Sequence, residues 1–252
     1  NDAMKILVAN PNTSTGVTDR LVAAGSLVAS AGTTLLPMTA PRGVPYIATR
    51  AEAIIGSAAM LDMLAERRGT FDAAIVAAFG DPGLGGAREL FDFPVVGMAE
   101  AAMLVACTLG RKFAIVSFAR ALEPWFAEVV EWHGLSARCS AIRTLDETFR
   151  SIDDVQNEKE QVLVDLALRT VKNDGADVVI LAGAPLAGLA DKIRERVPVP
   201  LVDGIQAAVT MAEGLVRLNP RKATAGTYRR PAAKDSKGLS SALADVIGHR
   251  DA

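Results

Sequence analysis

The feature that most constrains this chain is an internal repeat. The apolar run Lys5-Ile6-Leu7-Val8-Ala9-Asn10 recurs 107 residues later as Lys112-Phe113-Ala114-Ile115-Val116-Ser117. Asp72-Ala73-Ala74-Ile75-Val76-Ala77-Ala78 recurs at a spacing of 105 as Asp177-Val178-Val179-Ile180-Leu181-Ala182-Gly183. Pro94-Val95-Val96, followed by Ala101-Ala102, recurs at 106 as Pro200-Leu201-Val202, followed by Ala207-Ala208. Alanine- and valine-rich composition makes strands look alike, but it does not hold three matches to one spacing within two residues.

Each repeat alternates short β-branched runs with stretches of helical spacing, the pattern of βαβ units in a parallel sheet. Strands are expected at 5–10, 33–38, 72–78 and 94–97 of the first half, and helices at about 15–29, 50–68 and 98–109, with Ser14 or Thr13 capping the first. The 72–78 run is almost wholly apolar, as a strand covered on both faces should be. The expected architecture is therefore α/β, with two pseudo-symmetric lobes, each a parallel four-stranded sheet flanked by helices. The first lobe spans 4–106 plus about 210–252, with the C-terminal part packing back on it, and the second spans 107–209.

Composition excludes several other classes. Lys and Arg number 27 against 29 Asp and Glu, for a net charge of −2, which suits neither a nucleic-acid binder nor a disordered polyelectrolyte. Two cysteines and two histidines exclude a disulfide framework and make a metal centre unexpected. No apolar run reaches the roughly 18–20 residues of a membrane span. Asn1-Asp2-Ala3 ahead of Met4 reads as a vector-derived leader, and no basic stretch precedes an apolar core, so a cytoplasmic location is expected. The segment from Arg217 to Lys237 carries seven basic residues and one acid, and is read as a solvated loop that closes over an anionic site. Leu239 to Ile247 reads as a terminal amphipathic helix that docks on the body.

Open parallel sheets bind ligands beyond the carboxyl ends of their strands. The duplicated unit turns two such edges toward one cleft, lined by Asn10, Asn12, Thr13, Phe79, Gly80, Ser117, Phe118, Ala184 and Pro185. Gly80-Asp81-Pro82-Gly83-Leu84 and Gly183-Ala184-Pro185-Leu186 each suggest a helix opening with proline in its first turn. Backbone N–H groups and helix dipoles would then favour a small anionic or imide-like guest. The Gly80–Gly86 run matches neither G-x-G-x-x-G nor G-x-x-x-x-G-K-[ST], so no nucleotide is expected. Asp81 is read as the N-cap of the following helix, with general acid–base work as the alternative. Glu100 either faces the cleft or caps a helix. Asp203-Gly204 is read as a turn, His133 as a structural cation at a helix end, Cys107 as core, and Cys139 as a strand residue away from the cleft.

Four segments, Asn10-Pro11-Asn12-Thr13-Ser14, Ala78-Phe79-Gly80-Asp81-Pro82-Gly83-Leu84, Gly97-Met98-Ala99-Glu100-Ala101-Ala102-Met103 and Val202-Asp203-Gly204, resemble the aspartate/glutamate/hydantoin racemase superfamily, nearest its hydantoin and allantoin racemase branch. The resemblance implies flavodoxin-like lobes, no cofactor, a homo-oligomer, and a cleft in which one thiol removes an α-proton while another returns one on the opposite face. Both thiol positions are empty here. Ala78 stands where a cysteine precedes the Phe-Gly-Asp-Pro-Gly-Leu run, and Gly183 stands where the second belongs. The family's early Ile-Glu pair also reads Ile47-Ala48-Thr49. The expected function is a racemase-like isomerase stripped of two-thiol chemistry, with Asp81 and Glu100 the nearest proton carriers by sequence. The alternatives are a decarboxylase or cis–trans isomerase working through an enediolate, or an inactive small-anion binder.

Overall fold

The computed structural model describes residues 3–251. Asn1, Asp2 and Ala252 lie outside them. Eight strands form two parallel sheets: β1 (Met4–Asn10), β2 (Thr33–Thr39), β3 (Ala73–Val76) and β4 (Val95–Gly97) in the order β2-β1-β3-β4, and β5 (Phe113–Ser117), β6 (Cys139–Thr144), β7 (Val178–Leu181) and β8 (Leu201–Asp203) in the order β6-β5-β7-β8. The repeat extends to the register. Val8 pairs with Ile75 in the first sheet, and Ile115 with Ile180 in the second.

Strand alternation assigns each side chain of the first sheet to a layer. Leu7, Ala9, Ala74 and Val76 face outward, under α2 (Arg50–Arg67), α3 (Leu84–Leu90) and α9 (Ser241–Ile247). Ile6, Val8, Ala73 and Ile75 face inward to a core continuous with the second lobe. α1 (Thr15–Ser26) opens on Ser14, whose hydroxyl accepts from the Val17 amide. α2 opens on a capping box between Thr49 and Glu52. The second lobe adds α5 (Glu123–Trp132), α6 (Val155–Asp174) and α7 (Leu189–Ile193).

The helices after each fourth strand, α4 (Met98–Leu109) and α8 (Gly204–Leu218), pack on each other and on strands of both sheets. The boundaries near 106 and 209 thus fall inside a shared helical layer, not in a linker. This layer holds the two carboxyl edges toward each other.

Candidate active site

Asn12, Ala78, Phe79, Phe118, Gly183, Ala184 and Pro185 line one cavity of about 30 Å³, together with Tyr46, Ile47, Leu122, Trp125 and Phe126. They follow β1, β3, β5 and β7, so the cavity lies where strand order reverses in both sheets. Ala78 and Gly183 border the same space.

Four of the expected lining residues do other work. Asn10 is fully buried; its amide nitrogen donates to Asn12 Oδ1 (2.8 Å) and Thr18 Oγ1 (3.0 Å), and its oxygen accepts from the Asn12 amide (3.1 Å). It fixes the turn that presents Asn12. Ser117 Oγ donates to the Ala182 carbonyl (2.7 Å), tying the end of β5 to the end of β7. The Thr13 amide donates to the Val44 carbonyl (2.9 Å), and Gly80 lines a neighbouring pocket.

The helix-dipole expectation fails for a backbone reason. Gly80, Asp81 and Gly83 all have positive φ, which delays α3 until Leu84, so Pro82 is not in its first turn. After Gly183 there is only a single 3₁₀ turn, Ala184–Leu186, with Pro185 inside it. What these turns offer instead is backbone: among the described residues, the amides of Phe79, Gly80 and Ala184 donate to no protein acceptor.

Ala78 has negative φ. Gly183 has φ +107°, where an added Cβ would meet Phe118 Cε1 at 3.0 Å and Ser117 Oγ at 3.6 Å. Neither cysteine lines the cavity. Cys107 lies in α4 and is only half-buried, not full core, while Cys139 begins β6 at the amino edge of its sheet.

Among the described residues, Tyr46 is the only titratable side chain lining the cavity. Its hydroxyl is buried and has no hydrogen-bond partner, and its ring meets Phe118 and Phe149 at centroid distances of 5.8 and 5.9 Å. Burial, reinforced by the Glu52 charge, pushes the phenol well above its usual range, so it remains a donor.

Asp81 caps α4, not the helix that follows it. Its oxygens accept from the amides of Ala99 (2.8 Å) and Glu100 (2.9 Å), and it fills the space a Cβ on Gly97 would need. Oδ2 also meets His133 Nε2 at 2.8 Å; on the other side of the ring, Nδ1 meets Glu100 Oε2 at 3.0 Å. Two carboxylates on two ring nitrogens require an imidazolium. Burial alone would lower its pKa, but the hydrogen bonds and charges of Asp81 and Glu100 outweigh that and hold it at about 9. Burial would likewise raise Glu100, yet His133 and Arg88, the latter at 2.7 Å, bring it down to about 2. Glu100 is therefore neither a cap nor a cavity group. His133, the residue that ends α5 of the second lobe, is a clasp between lobes.

Asp203 ends β8 and caps α8, accepting from the amides of Ile205 (3.1 Å) and Gln206 (3.4 Å), where the sequence suggested a simple turn. It also accepts from the Gly188 amide (2.6 Å). Burial outweighs these bonds and raises its pKa.

The basic C-terminal segment does not cover the cavity. Lys222 Nζ donates to the carbonyls of Arg88, Glu89 and Tyr228, which holds the segment near the residues that lead into β4, at the opposite edge of the sheet. No group of three or more His, Cys, Asp or Glu side chains arranged to hold a metal ion is present among the described residues. No helix among them is long and apolar enough to cross a membrane.

Two parallel-sheet lobes meeting at a cavity between their carboxyl edges define a class of two-lobed α/β proteins. The family model "Asp/Glu/Hydantoin racemase" matches residues 6–212, and the chain belongs to that family. It is 31% identical to hydantoin racemase of Paenarthrobacter aurescens, over 92% of this chain and 99% of that protein. Allantoin racemase from Klebsiella pneumoniae superposes with a TM-score of 0.90 at 32% identity, covering 95% of this chain and 98% of the other. Arylmalonate decarboxylase shares the fold, at 18% identity and a TM-score of 0.56, over 84% and 92% of the two chains.

Sequence reasoning missed Tyr46, Leu122, Trp125 and Phe126. The available signal was scarcity: only two tryptophans and two tyrosines occur in 252 residues.

Proposed function

We propose that this protein binds a small planar carboxylate or cyclic imide between its lobes and carries out carbanion chemistry with proton delivery from one side, as in decarboxylation of a substituted malonate. The observation that carries this reading is that both thiol positions border one cavity whose sole titratable side chain is the Tyr46 phenol. Two-base racemisation needs proton carriers on opposite faces of the α-carbon. A decarboxylation needs one acid and a site for the developing oxyanion.

In this reaction the retained carboxylate accepts from the amides of Phe79 and Ala184. The bond to the second carboxylate breaks, CO2 leaves, and its electron pair passes into an enediolate stabilised by those amides. Tyr46 protonates the α-carbon, and the phenolate recovers a proton from water. Asn12 orients the retained oxygens. The proposal includes cofactor independence and assembly with further copies of the chain.

The test is release of CO2 from methylmalonate and phenylmalonate. Tyr46→Phe is expected to lower the rate by about a hundredfold, as for loss of a general acid. No release, or release unaffected by Tyr46→Phe, overturns the proposal. Isomerisation at the α-carbon of a hydantoin is the second reading, favoured by 31–32% identity to hydantoin and allantoin racemases along nearly the whole chain. Uptake of α-deuterium from D2O by 5-substituted hydantoins, with loss of optical rotation, would establish it.

A further inference from the structure

The basic segment after α8 closes over a space of its own. A cavity of about 350 Å³ lies at the amino edge of the first sheet, between the residues that lead into β4 and the stretch from Pro220 to Tyr228. Phe93, Pro94, Leu215 and Pro220 give it an apolar wall, and Phe93 is stacked on Phe91 at a centroid distance of 5.0 Å with 16° between the rings. Cations on this side outnumber their acceptors. Lys222 has no carboxylate within ion-pair distance among the described residues, and its ammonium is committed to the carbonyls of Arg88, Glu89 and Tyr228. Burial and the like charge of Arg230 lower its pKa, against the pull of Asp92 and Glu89. Arg230 Nε is itself buried without an acceptor. Arg221 is exposed and has no ion-pair partner among the described residues. Asp92 is the one acidic residue lining the space, against Arg88, Arg221 and Lys222.

We propose that this cavity is a peripheral binding site for a small aryl monocarboxylate, whose ring lies on the Phe93–Pro94–Leu215 wall and whose carboxylate meets Arg221 and Arg88. The site is separate from the inter-lobe cavity and does not depend on the chemistry proposed there. A space of this size, mostly apolar with a few convergent polar groups, has the make-up of a small-molecule site. Arg88 gives its terminal nitrogens to Glu100 and its Nε to the Val95 carbonyl (3.1 Å), which leaves further guanidinium N–H groups free, with the Tyr228 hydroxyl beside them. A carboxylate placed on two guanidinium groups forms charge-assisted hydrogen bonds, stronger than neutral ones. Arg88 also ties the site to the rest of the molecule. It holds Glu100 at 2.7 Å, and Glu100 holds His133 Nδ1 at 3.0 Å, so a bound carboxylate adds a negative charge behind the ion pairs that join the lobes.

The probe is 2-naphthoate, compared by calorimetry with 2-naphthamide, which keeps the ring without the charge, and with acetate, which keeps the charge without the ring. Each of the two is expected to bind about tenfold or more weakly. Arg221→Glu should lower the affinity for 2-naphthoate by about tenfold or more, as for loss of a hydrogen bond to a charged group. Arg229→Glu, an equal change of charge in the same exposed segment but outside the cavity lining, should leave it unchanged. Neither arginine borders the inter-lobe cavity, so the pair separates the two sites. Histidine NMR supplies a second readout, because His133 and His249 are the only histidines. Asp81, Glu100 and the Trp132 ring face the His133 imidazole. A carboxylate at Arg88 should raise its titration midpoint by about half a pH unit, less than a charge in direct contact would. Absence of 2-naphthoate binding, binding that Arg221→Glu does not weaken, or equal affinity for 2-naphthamide overturns the proposal. Binding that leaves the His133 midpoint unmoved overturns the part assigned to Arg88.

Discussion

The two lobes share a backbone but solve the same local problems with different residues. The amides that open α8 are capped by Asp203, the residue immediately before the helix. The corresponding position before α4 is Gly97, and the cap comes instead from Asp81, sixteen residues earlier in the chain, reaching into the space a side chain at 97 would fill. Geometry is conserved across the duplication while the source of the carboxylate has moved. The move has a consequence: only the first lobe's carboxylate also faces His133, so only that cap contributes to holding the lobes together. The cavity shows the same asymmetry. Ala78 keeps negative φ, whereas Gly183 occupies a region that side chains avoid.

The largest expected effect tests the two caps against each other. Asp81→Ala strips two helix amides and one side of a buried imidazolium, and should cost about 3–5 kcal/mol, the range for breaking a buried ion pair. Asp203→Ala leaves three amides without their acceptor but no opposed charge, and should cost about 2 kcal/mol. Urea unfolding followed by tryptophan emission measures both; equal losses would mean that the clasp adds nothing.

A smaller effect separates Ala78 from Gly183. Gly183→Cys forces a side chain into a left-handed backbone against Phe118 and should cost about 1–3 kcal/mol. Ala78→Cys enters the cavity from an ordinary backbone and should cost less than about 1 kcal/mol. If Gly183→Cys proves the milder change in thermal unfolding, the asymmetry is not built into the backbone.

A further effect is in pH, because titration weakens the clasp without deleting a residue. The folded pKa of His133, about 9, lies above its ordinary 6.5. Its contribution is therefore full below pH 6.5 and lost as pH rises through 9. Glu100, lowered to about 2 from 4.5, contributes fully above pH 4.5 and loses that contribution as pH falls toward 2. His133→Gln should flatten the alkaline loss of stability and leave a residual acid limb, since Arg88 still faces Glu100.

Much of the fold was legible. Strand runs, the helices at 50–67 and 98–109, and the terminal helix follow from apolar periodicity, and the repeat foretold parallel sheets of matching order. The site was legible where residues immediately follow strands, as at Ala78, Phe79, Phe118 and Gly183. It was not legible where contacts span the chain. Nothing local to Asp81 says that it caps a helix opening at Met98, because its left-handed backbone delays the nearer helix and turns the carboxylate away from it. His133 looked like a helix-end cation for the same reason: its two partners come from the other lobe.

By itself the sequence determined the duplicated α/β architecture, since periodicity and residue identity are properties of the chain alone. Only the tertiary structure decided that Tyr46 and Trp125 reach the cavity, that Asn10 and Ser117 hold its frame, and that Asp81, His133 and Glu100 form one charged cluster. Those are choices among side-chain directions and partners separated by tens of residues, and packing across two sheets makes them.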